Sequence, residues 1–243
     1  MFENRARGRE ILDDVEGAGA GSAFARASYR TMARVNRRLG CARAVRDFVI
    51  DCAGAVEGAR PLRVLDMGAG DGALAIDTLR WVRRCGLRVT FTCVEPNPVG
   101  LGLARERLSA HPDVDVTLAG ERIEEHRPAE PYDCAVGTLF FHHFEAPEIL
   151  RLLRRLSTYV RQSVLINDLR RGPVPFVGFL LLSPVLPSLV CRDGVMSIRR
   201  GFTPRGLNRL LARLPEGEAR VCGATPFRVT ARVNFAGPTS PAQ

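Results

Sequence analysis

The chain has 243 residues, 46% hydrophobic and 25% charged, enough for one α/β domain with a sizeable core and too apolar for long disorder except at its ends. The formal charge is +9, yet all 35 basic residues are Arg, a bias that reads as a coding preference rather than a groove selected for phosphate, so no nucleic-acid partner is favoured. Seven Cys without a C-x-x-C pair suggest neither a metal site nor a disulfide framework, and the charged start MFENRARGREILDD lacks a signal-peptide core, so a reduced, cytoplasmic setting is expected.

Residues 1–21 read as a mobile lead-in. Tyr29, Met32, Val35 and Leu39 then recur on one helical face between Ala23 and Leu39, and a second helix is predicted from Ala42 to Val56. Residues 1–58 thus form a tail and cap helices. The main domain is expected over 59–235, with a loose tail over 236–243. Within it the pattern alternates. Strands are predicted at Leu62–Asp66, Val89–Val94, Val114–Leu118, Asp133–Gly137 and Ser163–Ile166. Helices are predicted at Leu74–Arg84, Val99–Leu108 and from Pro147 onward. Such alternation means a mostly parallel sheet covered by helices on both faces. Thr203-Pro204 opens a last helix, and strands near Ala219–Cys222 and Phe227–Val233 close the fold.

Residues 172–191 carry no charge. Their length would admit a membrane span. Pro173, Pro175, Pro184 and Pro187 each remove a backbone donor, so the segment is expected to be an inserted apolar lid over a pocket, with peripheral membrane contact as a second reading.

The chemistry concentrates in V-L-D-M-G-A-G-D-G-A-L-A-I, residues 64–76. Asp66, Gly68, Gly70 and Gly72 form D-x-G-x-G-x-G between a buried strand and a helix. Glycine permits the tight turn and the close approach of a ligand, and the helix N-terminus adds free N–H groups. Gly68, Gly70 and Ala73 also fit the dinucleotide fingerprint, which raises a nicotinamide-dependent oxidoreductase. Against it, Asp66 is an acid where a cationic ligand would want one, and some 60 residues of helix precede the motif. Glu95 ends the second predicted strand, where a carboxylate can accept both ribose hydroxyls of a nucleoside. Glu121 follows the third and could accept an adenine amino group. The loops after all these strands share one sheet edge, so a single small molecule can touch several of them.

The arrangement over residues 60–170 resembles the class I S-adenosylmethionine (SAM)-dependent methyltransferases. The resemblance implies a Rossmann-like, seven-stranded sheet and SAM as cofactor. It places the cofactor on Asp66, Gly68, Ala69, Gly70, Gly72, Glu95 and Pro96, with Glu121 and Thr138 as further contacts. Three stretches, VNRRLG (35–40), FFHHF (140–144) and DGVMSIRRGFT (193–203), are similar to bacterial methyltransferases found with type III polyketide synthases, a subgroup linked with phenolic or quinone-like lipids. The expected partner is therefore a small hydrophobic aromatic acceptor, methylated on oxygen or on an activated carbon.

Methyl transfer from a sulfonium demands alignment and exclusion of water. A phenol, with a free pKa of about 10, also gains from a base. His142 and His143 follow the fourth strand and are the candidates. Asn167, Asp168 and Arg200 are candidate acceptor contacts. Two other readings share the cofactor: a nucleic-acid methyltransferase, for which Glu95-Pro96-Asn97-Pro98 does not match a base-flipping N-P-P-Y loop, and a non-catalytic SAM-binding protein.

Overall fold

The computed structural model describes residues 5–6, 26–27, 29–31, 33, 41–56, 60–182, 188–214 and 218–235. The expected tail at 236–243, the VNRRLG stretch, Pro184 and Pro187 lie outside them. Seven strands form one sheet: β1 (Leu62–Met67), β2 (Val89–Val94), β3 (Val116–Ala119), β4 (Tyr132–Thr138), β5 (Val160–Leu169), β6 (Ala219–Ala224) and β7 (Arg228–Asn234). Their order is β3-β2-β1-β4-β5-β7-β6. The first five run parallel, and the β6–β7 hairpin joins antiparallel to β5, so the sheet is Rossmann-like and mostly parallel. Strand order reverses between β1 and β4, which opens a crevice at their C-terminal ends.

Among the described residues seven helices have defined bounds: α1 (Cys41–Ala53), α2 (Ala73–Arg84), α3 (Pro98–Ser109), α4 (Ala146–Leu156), α5 (Pro173–Leu182), α6 (Ser188–Arg200) and α7 (Pro204–Leu211). β1 is buried on both faces, so its side chains alternate between two cores. Val64 joins Val45, Phe48 and Leu79 under α1 and α2. Leu65 and Met67 join Ile149, Leu153 and Leu207 under α4 and α7. Helix starts follow local chemistry. Asn97 Oδ1 accepts from Val99 N–H at 2.9 Å, Glu145 and Glu148 form a capping box, and Thr203 Oγ1 accepts from Gly206 N–H at 3.0 Å.

Three expectations are corrected. The 172–191 segment is not broken by its first prolines: Pro173 and Pro175 sit in the first turn of α5, where N–H groups have no intrahelical partner to lose. β5 extends to Leu169, three residues past its apolar run, because Asn167 and Asp168 are buried in the strand with their polar groups engaged. The lead-in is anchored at one point: Ala6 N–H donates to the Arg199 carbonyl at 3.1 Å, and Arg5 Nε donates to the Arg200 carbonyl at 2.7 Å. The described positions at 26–27, 29–31 and 33 are helical, within the first expected helix.

At the N-terminal edge of the sheet Asp133 is buried but fully matched. Both its oxygens accept from Arg60 at 2.6 Å, the Arg63 N–H donates at 2.9 Å, and Arg161 lies at 3.5 Å. Burial alone would raise its pKa, but these donors outweigh it and hold the carboxyl below the usual range.

Candidate functional site

The glycine loop begins where β1 ends. Gly68, Gly70 and Gly72 have φ of 67°, 58° and 69°, the left-handed region that a side chain strains. The turn is tied to β2, since the N–H groups of Gly68 and Ala69 both donate to the Val94 carbonyl, at 2.9 and 3.2 Å. Gly68 also faces the ring of Phe140, whose Cδ2 would stand 2.7 Å from an added Cβ. The loop after β4 is therefore pressed against the loop after β1.

Glu95 is buried beneath this turn. Its Oε2 accepts from Gly70 N–H and its Oε1 from Asn97 N–H, both at 2.8 Å. Each carboxylate oxygen carries a second lone pair, so the same group that shapes the loop can still accept ribose hydroxyls. Tyr29 lies across the loop, 3.2 Å from the position a Cβ would take on Gly100. Pro96 is exposed beside Glu95.

Asp66 is 2% exposed, and its Oδ2 has no hydrogen-bond partner. Burial, and then the negative charge of Glu95, push its pKa up to about 7. This orphaned acid and the Cβ-free turn beside it fit a cationic nucleoside such as SAM, in which a positive methionine portion adjoins a ribose. The composition of the loop hid one further residue. Asp71 is buried, accepts from Ala73 N–H at 3.2 Å and is ion-paired with Arg107 of α3, whose Nε also donates to the Asp71 carbonyl at 3.2 Å. An acid between two glycines is a visible signal, but its partner 36 positions away is not.

After β4 the chain makes a 3-10 turn, Phe141–His143. Asp168, fully buried at the end of β5, binds this turn twice: its Oδ1 meets His142 Nδ1 at 2.7 Å, and its Oδ2 accepts from His142 N–H at 3.1 Å. Leu169 N–H also donates to Oδ1 at 2.7 Å. Burial raises the Asp168 pKa, but His142 and these donors more than offset it, so the carboxylate stays ionised. The half-buried His143 ring lies over that of His142, centroids 4.1 Å apart.

The remaining expected residues fall less directly on the site. Glu121 is engaged by His126, its Oε1 lying 2.6 Å from His126 Nδ1, and His126 Nε2 continues to the Tyr132 hydroxyl at 3.0 Å. Glu121 thus also has a structural task, holding His126 below the loop. Asn167 is buried and donates to the Cys41 carbonyl at 3.3 Å and to Thr138 Oγ1 at 3.5 Å, tying α1 to the sheet. Arg200 donates through Nε to the His142 carbonyl at 2.9 Å and through Nη2 to the His143 carbonyl. Arg5 reaches the His142 carbonyl as well, at 3.0 Å. Arg200 is thus a buried clamp on the histidine turn.

Comparison with known proteins agrees with this geometry. Residues 64–163 match a family model described as a methyltransferase domain. Curated proteins give no match. Among solved structures the chain is similar to the plantazolicin methyltransferase BpumL in complex with SAH, at 14% identity and a TM-score of 0.65 over 93% of this chain and 95% of that one. It is similar to the magnesium protoporphyrin IX methyltransferase ChlM from Synechocystis PCC 6803 with bound SAM, at 10% identity and a TM-score of 0.59 over 95% and 99%. It also resembles the apo SAM-dependent methyltransferase SibL, at 17% identity and a TM-score of 0.63 over 95% and 63%. At these identities the likenesses establish the fold. Matched domain, sheet order and glycine loop together make the chain a SAM-dependent methyltransferase, with S-adenosylmethionine as its cofactor.

Proposed function

We propose that the protein methylates a small hydrophobic acceptor, phenolic or quinone-like, on oxygen, and that His142 is the base. The observation that carries this reading is the buried His142–Asp168 pair, whose turn abuts the glycine loop through Phe140. Nδ1–H donates to the Asp168 carboxylate, which sets the tautomer whose Nε2 can accept a proton from the acceptor. The bound cofactor supplies an electrophilic methyl group. The protein's part is to hold the acceptor oxygen in line with that group, keep water away and take the phenolic proton. Apolar side chains dominate this end: Phe141 begins the turn and Phe140 and Phe144 flank it, their ring centroids 4.9 Å apart. Arg200 and Arg5 fix the turn's backbone, so the ring position does not depend on the acceptor.

The test is methyl transfer to a panel of phenols of increasing alkyl chain length, with His142→Ala, His143→Ala and Asp168→Asn. His142→Ala is expected to lower kcat by about 10²–10⁴ at neutral pH, with SAH affinity unchanged. The deficit should shrink as pH rises toward the acceptor's own pKa, because the phenolate then forms unaided. His143→Ala should cost far less. A His142→Ala enzyme with wild-type kcat, or a preference for short polar acceptors, would remove the reading.

A further inference from the structure

Among the described residues, five large hydrophobic side chains are exposed, and four of them, Val174, Val177, Leu180 and Leu181, lie on α5. Val174, Val177 and Leu181 are spaced i, i+3, i+7, so they share one face of the helix, at 60%, 52% and 78% exposure. The other face is already seated. A Cβ on Gly178 would meet the Phe227 ring at 2.9 Å, and a Cβ on Gly194 of α6 would meet the ring of Phe179 at 2.2 Å. α5 is therefore docked on α6 and on the residue preceding β7, and its apolar outer face is not a core surface awaiting closure.

The charges that bracket this uncharged segment in sequence are basic. Arg170 and Arg171 stand before the uncharged stretch 172–191 and Arg192 stands after it, while no acid occurs between Asp168 and Asp193. Arg192 is exposed and Arg170 is half-buried, while Arg171 is buried. An apolar helix face bracketed in sequence by exposed and half-exposed guanidinium groups is complementary to one environment above others, a surface with anionic headgroups outside and acyl chains beneath. No helix of the described residues is long and apolar enough to cross a membrane, so the contact would be interfacial.

We propose that the outer face of α5 docks the protein on an anionic phospholipid bilayer. α5 starts four residues after Leu169 ends β5, and Asp168 of that strand holds His142, so docking would bring the acceptor end of the sheet to the lipid. Only this last step, delivery of a greasy acceptor from the bilayer, rests on the function proposed above.

Co-sedimentation of the full chain with vesicles tests the docking without any acceptor. The probes are vesicles of phosphatidylcholine alone and of phosphatidylcholine with phosphatidylglycerol in equal parts. The wild-type chain is expected to bind the mixed vesicles at least about tenfold better than the neutral ones at low salt, and to release as salt screens the bracketing arginines. Val177→Asp with Leu181→Asp should lower binding by about tenfold or more, and Arg192→Gln by about threefold to fivefold. SAH binding by calorimetry should be unchanged in each, which shows that the variants are folded. Absence of vesicle binding by the wild type, or equal binding by the double variant, overturns the proposal. So does a concentration-dependent dimer in gel filtration that Leu181→Asp abolishes with no vesicle binding, since a second copy would then cover the face. Loss of methyl transfer to every phenol would sink the acceptor assignment and leave the vesicle result standing.

Discussion

Two buried aspartates on neighbouring strands meet opposite fates. Asp133, at the N-terminal edge, has Arg60 across both oxygens, a backbone donor and Arg161 nearby. Asp66, near the C-terminal end of the adjacent strand, has an orphaned oxygen and the charge of Glu95 beside it. The first spends its charge inside the fold and gives stability. The second keeps its charge unmatched, at a cost, where a cationic ligand can relieve it. Parallel α/β sheets concentrate ligand chemistry at the C-terminal edge, and here the difference is visible in one residue type.

The largest effect that would break this contrast is the pH dependence of stability. The Asp66 pKa is raised from 3.8 to about 7 in the folded chain, so between those values the native state binds a proton that the unfolded state has lost. Its contribution is therefore fully present below pH 3.8 and is lost as pH rises through about 7, a fall of up to about 4 kcal/mol in the ligand-free protein. Urea unfolding at pH 5 and pH 8 should show most of this fall, and Asp66→Asn should lack it. An amide brings its own unsatisfied donor, so the informative quantity is the change between the two pH values and not either one alone. SAM affinity should run the other way, weakening as pH drops below 7 and the carboxylate is protonated. An identical pH slope in wild type and variant would dismiss Asp66 as an unmatched charge.

Asp133→Ala probes the opposite edge. A wholly buried pair broken on one side costs about 3–5 kcal/mol. Arg60, however, remains 42% exposed and can be solvated once released, so the expected loss is about 2 kcal/mol with SAH affinity unchanged. The lowered pKa of Asp133 confines its pH effect to acid: its contribution is present above the unfolded value and is lost as pH falls through the folded one. The two aspartates should thus imprint separate windows on one stability curve.

How much of this was legible beforehand depends on whether a residue's partner is close in sequence. The glycine loop, Glu95 and the alternation of strands and helices could be read because each is local: a turn residue, an acid at a strand end, a period. The roles of Asp71, Arg107, Arg5 and Arg200 could not, because their partners lie 36 to 195 positions away. Asp168 was visible as a polar group at the right edge, but only β5 running on past Ile166 shows it gripping His142 rather than an acceptor. The partner of Glu121, His126, lies only five residues on, yet a lone His in that stretch carried no signal of the contact. Pro173 and Pro175 misled because a breaker is harmless in the first turn of a helix.

Gly68→Ala tests the loop itself. The residue would sit at φ 67° with its Cβ 2.7 Å from Phe140, so strain of about 1–2 kcal/mol is expected together with displacement of the ring. Because Phe140 leads into the histidine turn, kcat should fall along with SAM affinity. A variant with lost affinity but intact kcat at saturation would show that the two loops are not mechanically joined.

The smallest effect sharpens the comparison most. In Glu95→Gln one acceptor oxygen survives, but the amide turns a donor toward either the Gly70 or the Asn97 N–H, so one of the two 2.8 Å bonds is lost. A cost of about 1 kcal/mol in stability and about tenfold in SAH affinity follows. The same change removes the negative charge that helps hold the Asp66 pKa up. The stability midpoint near pH 7 should therefore move to lower pH in Glu95→Gln, with the Asp133 window unmoved. Burial is the larger cause of the Asp66 shift, so the midpoint should fall without returning to an ordinary carboxylate value. A midpoint that stays in place would mean the two acids do not sense each other, and the C-terminal edge would then be a set of separate contacts rather than one electrostatic site.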